Sequence, residues 1–427
     1  MTESDNTVRA PRVLDLFEAF GVELEVMIVD AATFDVLPLA EKLLQSPGGE
    51  VVLEVERGPL AWSNELVCHV IELKTNGPAP SLAPLAEHFD AGLQQIRGLL
   101  APHGATLLPG GMHPWMLPEE RVLWPHGQRE IYQAFDRIFG SKGHGWCNLQ
   151  SVHLNLPFAS DESFRRLHSA IRIVLPLLPA LAAASPYCEG VHRGQLDQRL
   201  EVYGTNAARL PSIAGAIIPD VSTSEAHYRE HVLAPMYADI APFDPEGILQ
   251  DEWLNARGAI ARFDRNAIEI RIIDTQECPL AAISILAATV ALLRALVEER
   301  FVPLAAQEAV STTDLAKLYR RAVREGEQAT VESAEVLALF GQRAPVALGR
   351  LWRALFEGAS GTRTHLDLPK FAEAPLEVLL REGPLARRQL RQLGAQPTRA
   401  QLRAQAVELA QAQAEGRLWL PEYPTAG

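Results

Sequence analysis

Cysteine is scarce in this 427-residue chain: Cys68, Cys147, Cys188 and Cys278 are its only four, and they lie far apart. Neither the paired spacing of zinc or redox motifs nor the dense framework of a small secreted protein occurs. We therefore expect reduced, mostly packed thiols and a cytoplasmic protein. The beginning of the chain also lacks the basic segment and apolar core of a secretory signal.

Positive charge is also in short supply. The chain has 39 Lys and Arg residues and 53 Asp and Glu residues, which gives a net charge of -14. Such a chain repels nucleic acid and anionic membranes over long range, so neither is expected as a partner. The longest uncharged runs, 173–188 and 278–293, are shorter than the roughly 20 residues of a spanning helix. Any phosphate group must therefore be held by local side chains or through metal ions.

The common nucleotide-binding motifs are missing as well, namely the P-loop, the kinase glycine loop and the dinucleotide fingerprint. The composition, 48% hydrophobic and 22% charged, is nevertheless that of a folded protein. We expect a flexible tail at 1–12, a catalytic domain at 13–300 and a helical C-terminal region at 301–427 packed on it.

Alternating polar and branched apolar residues at 267–274 predict a half-buried strand. Glu269 and Arg271 share one face of it, and isoleucines occupy the other. A carboxylate beside a guanidinium suits a metal ion next to a phosphate. A solvated surface ion pair fits the same pattern.

Three further segments repeat this one-sided design. The segment 20–30 places Glu23 and Glu25 on one face. In the same way, the segment 65–75 places Glu72 on its polar face, and the segment 148–158 places His153 there. Like charges on one strand face repel each other unless a cation lies between them. Carboxylates and one imidazole favour more than one Mg²⁺ or Mn²⁺ ion, whereas zinc is disfavoured without thiolates. Such a site with a neighbouring Arg suits phosphoryl transfer from a nucleotide.

Three other residues are candidates for substrate binding. His113 follows two glycines in the loop 109–115, which either approaches a ligand or is a plain connecting turn. Arg193 and Arg199 lie in a polar, irregular stretch and either clamp a substrate carboxylate or lie on the surface.

Six motifs in register resemble the glutamate-cysteine ligase family 2, or carboxylate-amine ligases, whose fold is related to that of glutamine synthetase. They are GVELE at 21–25, ELKT at 72–75, GGMHPW at 110–115, VH at 152–153, AASPY at 183–187 and IEIRIIDT at 268–275. The resemblance covers roughly residues 20 to 300.

The resemblance implies an α+β fold of the glutamine synthetase/guanido kinase type. Its curved antiparallel sheet of about six strands carries helices on the outer face and holds ATP with Mg²⁺ or Mn²⁺ on the concave face. It further implies the metal ligands and the residue that stabilises the transferring phosphoryl group, Arg271. The implied ligands are Glu23, Glu25, Glu72, His153 and Glu269.

The implied reaction is ATP-dependent: a glutamate carboxylate becomes an acyl phosphate, which an amine attacks, with cysteine as the default acceptor. Another amine, amino acid or peptide as acceptor is the first alternative, and a non-catalytic nucleotide-binding protein is the second. Met112 replaces the family's Thr, and Ser151 stands where the family has a second His. The resemblance also suggests a homo-oligomer.

Overall fold

A computed structural model describes residues 13–357 and 366–423 of the chain. The tail predicted for residues 1–12 lies outside the described residues. The strands are β1 Gly21–Asp30, β2 Glu54–Arg57, β3 Leu60–Asn64, β4 Val70–Thr75, β5 Ala105–Leu108, β6 Ser151–Pro157, β7 Ala259–Arg262, β8 Ala267–Asp274, β9 Thr330–Val331 and β10 Val346–Ala347.

Eight of these strands form one open sheet in the order β2, β3, β4, β1, β6, β8, β7, with β5 paired to the far end of β1. Every neighbouring pair is antiparallel. The predicted α+β class and antiparallel sheet are confirmed, although the sheet has eight strands rather than about six. The predicted segment 267–274 coincides with β8, whereas β4 begins only at Val70 because residues 65–69 form a separate crossing.

Helices cover the apolar face of the sheet. Leu24 of β1 and Ile270 of β8 share one hydrophobic core with Phe89, Ile171 and Ile283 from three of the helices. The helices are α1 Ala40–Leu43, α2 Leu85–Leu100, α3 Arg129–Phe139, α4 His144–Cys147, α5 Asp161–Val174, α6 Pro179–Ala182, α7 Gln198–Thr205, α8 Glu225–Tyr228, α9 Ala234–Ile240, α10 Pro279–Val297, α11 Leu304–Ala309, α12 Thr312–Glu325, α13 Ala334–Leu339, α14 Leu348–Glu357, α15 Lys370–Glu382, α16 Leu385–Leu393 and α17 Arg399–Ala414. The alternation therefore keeps Glu23, Glu25, Glu72, His153 and Glu269 on the opposite face, outside this core.

Helix α10 is the one helix in the described part of the chain that is long and apolar enough to cross a membrane. It packs against α2, α5 and α15, and 83% of its most apolar window is buried inside the protein. Its hydrophobicity is therefore that of a central core helix.

The C-terminal region contacts the sheet at the end of β1. Leu402 and Ala406 of α17 pack against Met27 and Leu108 in a second core. A capping box begins α17, since Thr398 and Gln401 each accept a hydrogen bond from the other's backbone N–H. The division into a catalytic domain and a C-terminal region remains a prediction.

A fully buried ion pair fastens α16 to the chain just after β8. Arg388 Nη1 lies 2.7 Å from Glu277 Oε1, and both side chains are inaccessible to solvent. Arg388 also donates to the backbone oxygen of Trp419. Breaking a buried pair leaves one charge without its partner in a medium of low dielectric constant.

We expect Arg388→Leu to lower the free energy of unfolding by about 3–5 kcal/mol, because it strands the Glu277 carboxylate. The double variant Arg388→Leu with Glu277→Leu should lose clearly less, since it removes both charges together. Urea unfolding of the three proteins measures this difference. Equal losses in the single and double variants would contradict the role assigned to the pair.

Candidate active site

The pairing register of four strands gathers the predicted carboxylates on one face of the sheet. Glu23 of β1 lies opposite His153 of β6, and Glu25 lies opposite Glu72 of β4. Glu269 of β8 is aligned with Asn155, two residues beyond His153 on the same face of β6. Residues two apart on a strand point the same way, so all these side chains converge.

His153 is the centre of this cluster. Its Nδ1 donates a 2.8 Å hydrogen bond to Glu23 Oε2 and lies 3.6 Å from Glu269 Oε1. Its Nε2 lies 3.0 Å from Ser151 Oγ and 3.8 Å from Glu25 Oε1. Glu23, Glu25 and Glu269 thus each have an oxygen within 4 Å of a ring nitrogen of His153. The imidazole therefore connects the carboxylates of β1 with that of β8.

Charge and burial oppose each other at His153. Burial lowers its pKa, but the hydrogen bond and negative charge of Glu23, aided by Glu25 and Glu269, outweigh burial and raise the pKa to about 9. At Glu23, burial raises the pKa, and the bond and charge of His153 prevail and bring it down to about 2. The pair is thus an imidazolium and a carboxylate at neutral pH in the absence of a metal ion.

Ser151 takes a position where the family resemblance expects a second His. Its backbone N–H and its hydroxyl both donate to Glu25 Oε2, at 2.7 and 2.8 Å. The serine thereby holds the Glu25 carboxylate in place while its oxygen accepts from His153 Nε2. The departure from the family motif exchanges a basic group for a hydrogen-bond bridge.

The negative charges of Glu72 and Glu65 are less well balanced by neighbouring positive groups than that of Glu23. Burial and the charge of Glu23 raise the pKa of Glu72 to about 7, although Lys74 and a 2.7 Å hydrogen bond from Ser63 Oγ act the other way. Burial and the charge of Glu25 raise the pKa of Glu65 well above its usual range. Glu65 was not predicted as a site residue because it follows β3 in the crossing to β4, where no strand alternation marks it.

The donor set fits divalent cations. Two groups, Glu23 with His153 and Glu269, and Glu25 with Glu72 and His153, each bring three ligand atoms within 4.8 Å of one another. Hard cations such as Mg²⁺ take carboxylate oxygens readily and accept a single imidazole. A neutral imidazole has one lone pair, so His153 can serve only one of the two groups at a time.

Arg271 lies beside this cluster on β8. Its Nε is 3.1 Å from Glu269 Oε1, and its Nη1 donates to the backbone oxygen of Asn255 at 3.4 Å. Burial lowers its pKa, but Tyr203 and the carboxylates of Glu269, Glu23 and Glu25 raise the pKa above the ordinary value, so the guanidinium stays charged. Arg262 Nη1 approaches the other oxygen of Glu269 at 3.9 Å.

The other predicted residues lie at different depths. Arg199 is fully buried and pairs with Asp274, yet it borders a cavity beside Arg271. Arg193 is half exposed and pairs with Glu189, outside the cluster. His113 is also fully buried, 2.8 Å from the backbone oxygen of Phe34, so the structure does not bring it to the carboxylates.

The paired glycines before His113 have a packing reason. A side chain at Gly111 would place its first carbon 2.3 Å from the Asp274 carboxylate, and Gly110 has a φ of +110°. Asp274 accepts hydrogen bonds from Ala184 N and Ser185 Oγ at 2.8 and 2.7 Å. Three of the sequence motifs therefore meet at the end of β8 and fix the strand that carries Glu269 and Arg271.

Two cavities flank the carboxylate cluster. The first, which we call the Lys74 cavity, has a volume of about 590 Å³ and reaches Glu23. The second, the aromatic cavity, has a volume of about 380 Å³ and reaches Glu25, His153 and Arg271. Glu23 borders the first cavity and His153 borders the second. Because these two side chains are hydrogen-bonded to each other, only this pair lies between the two cavities at that point.

The model of the glutamate-cysteine ligase family 2 matches residues 19–413 of the chain. The chain belongs to this family. The match includes β1, β4, β6 and β8 together with the helices up to α17. The predicted family is thereby confirmed, and the four strands that carry the carboxylate cluster fall within one family match with most of the C-terminal region.

Two relatives are moderately similar to the chain in sequence. An uncharacterized protein of Archaeoglobus fulgidus is 38% identical over 279 residues, which is 65% of this chain and 75% of that protein. A protein of Bordetella avium named "Putative glutamate--cysteine ligase 2" is 28% identical over 274 residues, 61% of this chain and 60% of its own length. The match to the protein bearing the ligase name thus spans less than two thirds of it.

Solved structures share the fold at low sequence identity. The glutamate-cysteine ligase of Francisella tularensis, in complex with AMP, superposes with a TM-score of 0.56 at 12% identity, covering 94% of this chain and 90% of that one. A bifunctional glutathione synthetase of Pasteurella multocida gives 0.53 at 15% identity, covering 94% of this chain and 52% of that one. The sheet and its helical cover are therefore those of this ligase fold.

We expect Mn²⁺ to bind more tightly as the pH rises, because it must displace the protons of His153 and Glu72. Their pKa values are about 9 and about 7 without metal, so binding releases between one and two protons at about pH 7 and roughly one at about pH 8. Calorimetric titration between about pH 6 and 8.5 measures the effect. His153→Ala should lose most of the dependence above pH 7, whereas affinity that does not change with pH in the unaltered protein would contradict the ligand set.

Proposed function

We propose that this member of the family is an ATP-dependent carboxylate-amine ligase acting in the cytoplasm on a glutamate-like carboxylate. One observation carries the proposal: two cavities reach the same carboxylate-imidazole cluster from opposite sides. A ligase of this type must bring the γ-phosphate of ATP next to the carboxylate that it phosphorylates. A protein that only bound nucleotide would need one such cavity.

The Lys74 cavity suits the nucleotide. Positive groups at its edge are Lys74 and Arg265, and Asn76, Asn155 and Asn266 add polar contacts. Phe20 and Pro157 contribute apolar surface. A volume of about 590 Å³ is in the range of cofactor sites. The name of the Francisella structure, a ligase in complex with AMP, supports a nucleotide on this fold.

The carboxylate cluster is the proposed metal site. Glu23, Glu269 and His153 form one ligand group, and Glu25 and Glu72 form the core of the other. Divalent cations held there supply neutralisation of phosphate charge during phosphoryl transfer. The protein's own part is to keep the ligands converged, which Ser151 and Ser63 do through hydrogen bonds to Glu25 and Glu72.

Arg271 is placed to stabilise the transferring phosphoryl group. It stays charged, lies 3.1 Å from Glu269 and borders the aromatic cavity. Guanidinium groups pair with phosphoryl oxygens in a fork geometry that is strongest where water is excluded. Transfer of the γ-phosphoryl group from ATP to the substrate carboxylate gives an acyl phosphate and ADP. This acyl phosphate lies between the carboxylate cluster and the aromatic cavity.

The amine completes the reaction from the aromatic cavity. Its nitrogen attacks the acyl carbon, the bond between that carbon and the phosphate oxygen breaks, and inorganic phosphate leaves with the electron pair. One proton of the amine passes to solvent. The balance is ATP plus carboxylate plus ammonium giving ADP, phosphate, amide and a proton, so both ADP and phosphate are measurable products.

We expect phosphate release from ATP and Mg²⁺ in the presence of glutamate to depend on an added amine. Arg271→Ala should lower kcat by about 10²–10³, because it removes charge stabilisation in the transition state, and should leave ADP binding nearly unchanged. A coupled phosphate assay over a panel of amines, with calorimetric ADP binding, measures both quantities.

The exposed Arg320→Ala is the matched control and should keep the activity of the unaltered protein. Acceptor-dependent release that survives both Arg271→Ala and Glu72→Gln would overturn the site assignment. ADP binding without phosphate release for any amine would identify a non-catalytic nucleotide-binding protein instead.

A further inference from the structure

The wall of the aromatic cavity is unusually rich in rings. Phe135 lies 5.2 Å from Trp146 and 5.9 Å from Trp253, measured between ring centroids, and all three border the cavity. Phe139 stacks on Trp146 from behind at 5.6 Å. The three lining rings are only partly buried, so they present their surface to whatever occupies the cavity. A continuous aromatic surface of this kind gains most from contact with an apolar or aromatic group.

One carboxylate in the same cavity has no partner. Glu65 borders the cavity and is partly buried, and within residues 13–357 and 366–423 no side chain forms a hydrogen bond or ion pair with its carboxylate. The hydroxyl of Tyr203, also at the cavity, is buried without a hydrogen-bond partner. A carboxyl group next to aromatic rings can receive an ammonium ion, whose positive charge offsets the burial and neighbouring negative charge that raise the pKa of Glu65.

Positive charge in the cavity is already engaged. Arg199 and Arg271 are the arginines among its lining residues in the described chain, and they pair with Asp274 and Glu269. His153, which also lines the cavity, is hydrogen-bonded to Glu23. Arg271 is also needed for the phosphoryl group. An acceptor with a carboxylate of its own, such as cysteine or another amino acid, would bring that carboxylate toward Glu25 and Glu65 without a free cation to meet it.

We propose that the amine acceptor of this ligase is a primary amine on an aromatic or bulky apolar group and carries no carboxylate. Its ammonium nitrogen lies at Glu65, and its apolar body lies against Phe135, Trp146 and Trp253. This assignment rests on the proposed ligase function and names the acceptor class for the same site.

Four probes separate the parts of this assignment: 2-phenylethylamine, ethylamine, L-phenylalanine and L-cysteine. Ethylamine lacks the ring and L-phenylalanine adds the carboxylate, so each differs from 2-phenylethylamine in one group. In calorimetric titrations of the full chain with Mg²⁺ and ADP, 2-phenylethylamine should bind at least about tenfold more tightly than each of the other three. Equal or tighter binding of L-cysteine would overturn the proposal.

Two variants test the contacts. Glu65→Gln and Trp146→Leu should each weaken 2-phenylethylamine binding by about tenfold, whereas Glu65→Asp, which keeps the charge, should weaken it less. Glu87→Gln and Phe243→Leu, exposed and outside the cavity, are the matched controls and should bind as the unaltered protein does. Thermal melting confirms that each variant is folded. Binding unaffected by both Glu65→Gln and Trp146→Leu would overturn the proposal.

Phosphate release with glutamate as donor distinguishes this proposal from the ligase function. Release that L-cysteine stimulates more than 2-phenylethylamine does would leave the ligase function standing and reject the acceptor class. Absence of release with every amine would reject the ligase function, and the calorimetric comparison would still decide what the aromatic cavity binds.

Discussion

The dominant physical constraint in this protein is negative charge crowded on one face of one sheet. Glu23, Glu25, Glu72 and Glu269 converge there, and Glu65 approaches from a crossing segment. Buried like charges are costly unless cations or protons compensate them. Without metal, the proton on His153 supplies part of that compensation, which is why its pKa rises to about 9. The site is therefore arranged for cations to replace protons.

The rest of the fold keeps this crowding in place. The apolar face of the same strands is buried under helices in one large core, so the carboxylates cannot turn away without exposing isoleucines and leucines. The glycine loop at 110–111 and the serine at 185 fix Asp274, which ends the strand carrying Glu269 and Arg271. A buried Arg388–Glu277 pair then ties the C-terminal helices to the residues just beyond that strand.

Strand alternation was enough to predict much of this site. Because side chains two apart share a face, the sequence pointed to Glu23 with Glu25 and to Glu269 with Arg271, and the family resemblance brought the four strands together. Glu65 and the aromatic wall were not predicted. They come from a crossing segment, from helices α3 and α4 and from a 3₁₀ turn at Glu252–Leu254, and their convergence depends on tertiary packing. The same limit explains His113 and Arg193: a polar residue in a loop has no period to reveal which way it points. Strands β2, β3, β5 and β7 are only four or five residues long, so their alternation is too brief to mark them in the sequence.

The most direct test of the account is a crystal structure of the protein with Mn²⁺ and ADP, read through the anomalous scattering of manganese. The account predicts manganese peaks among Glu23, Glu25, Glu72, Glu269 and His153, with the imidazole bound to only one ion, and ADP in the Lys74 cavity. Manganese bound away from these carboxylates, or ADP seated in the aromatic cavity, would contradict it.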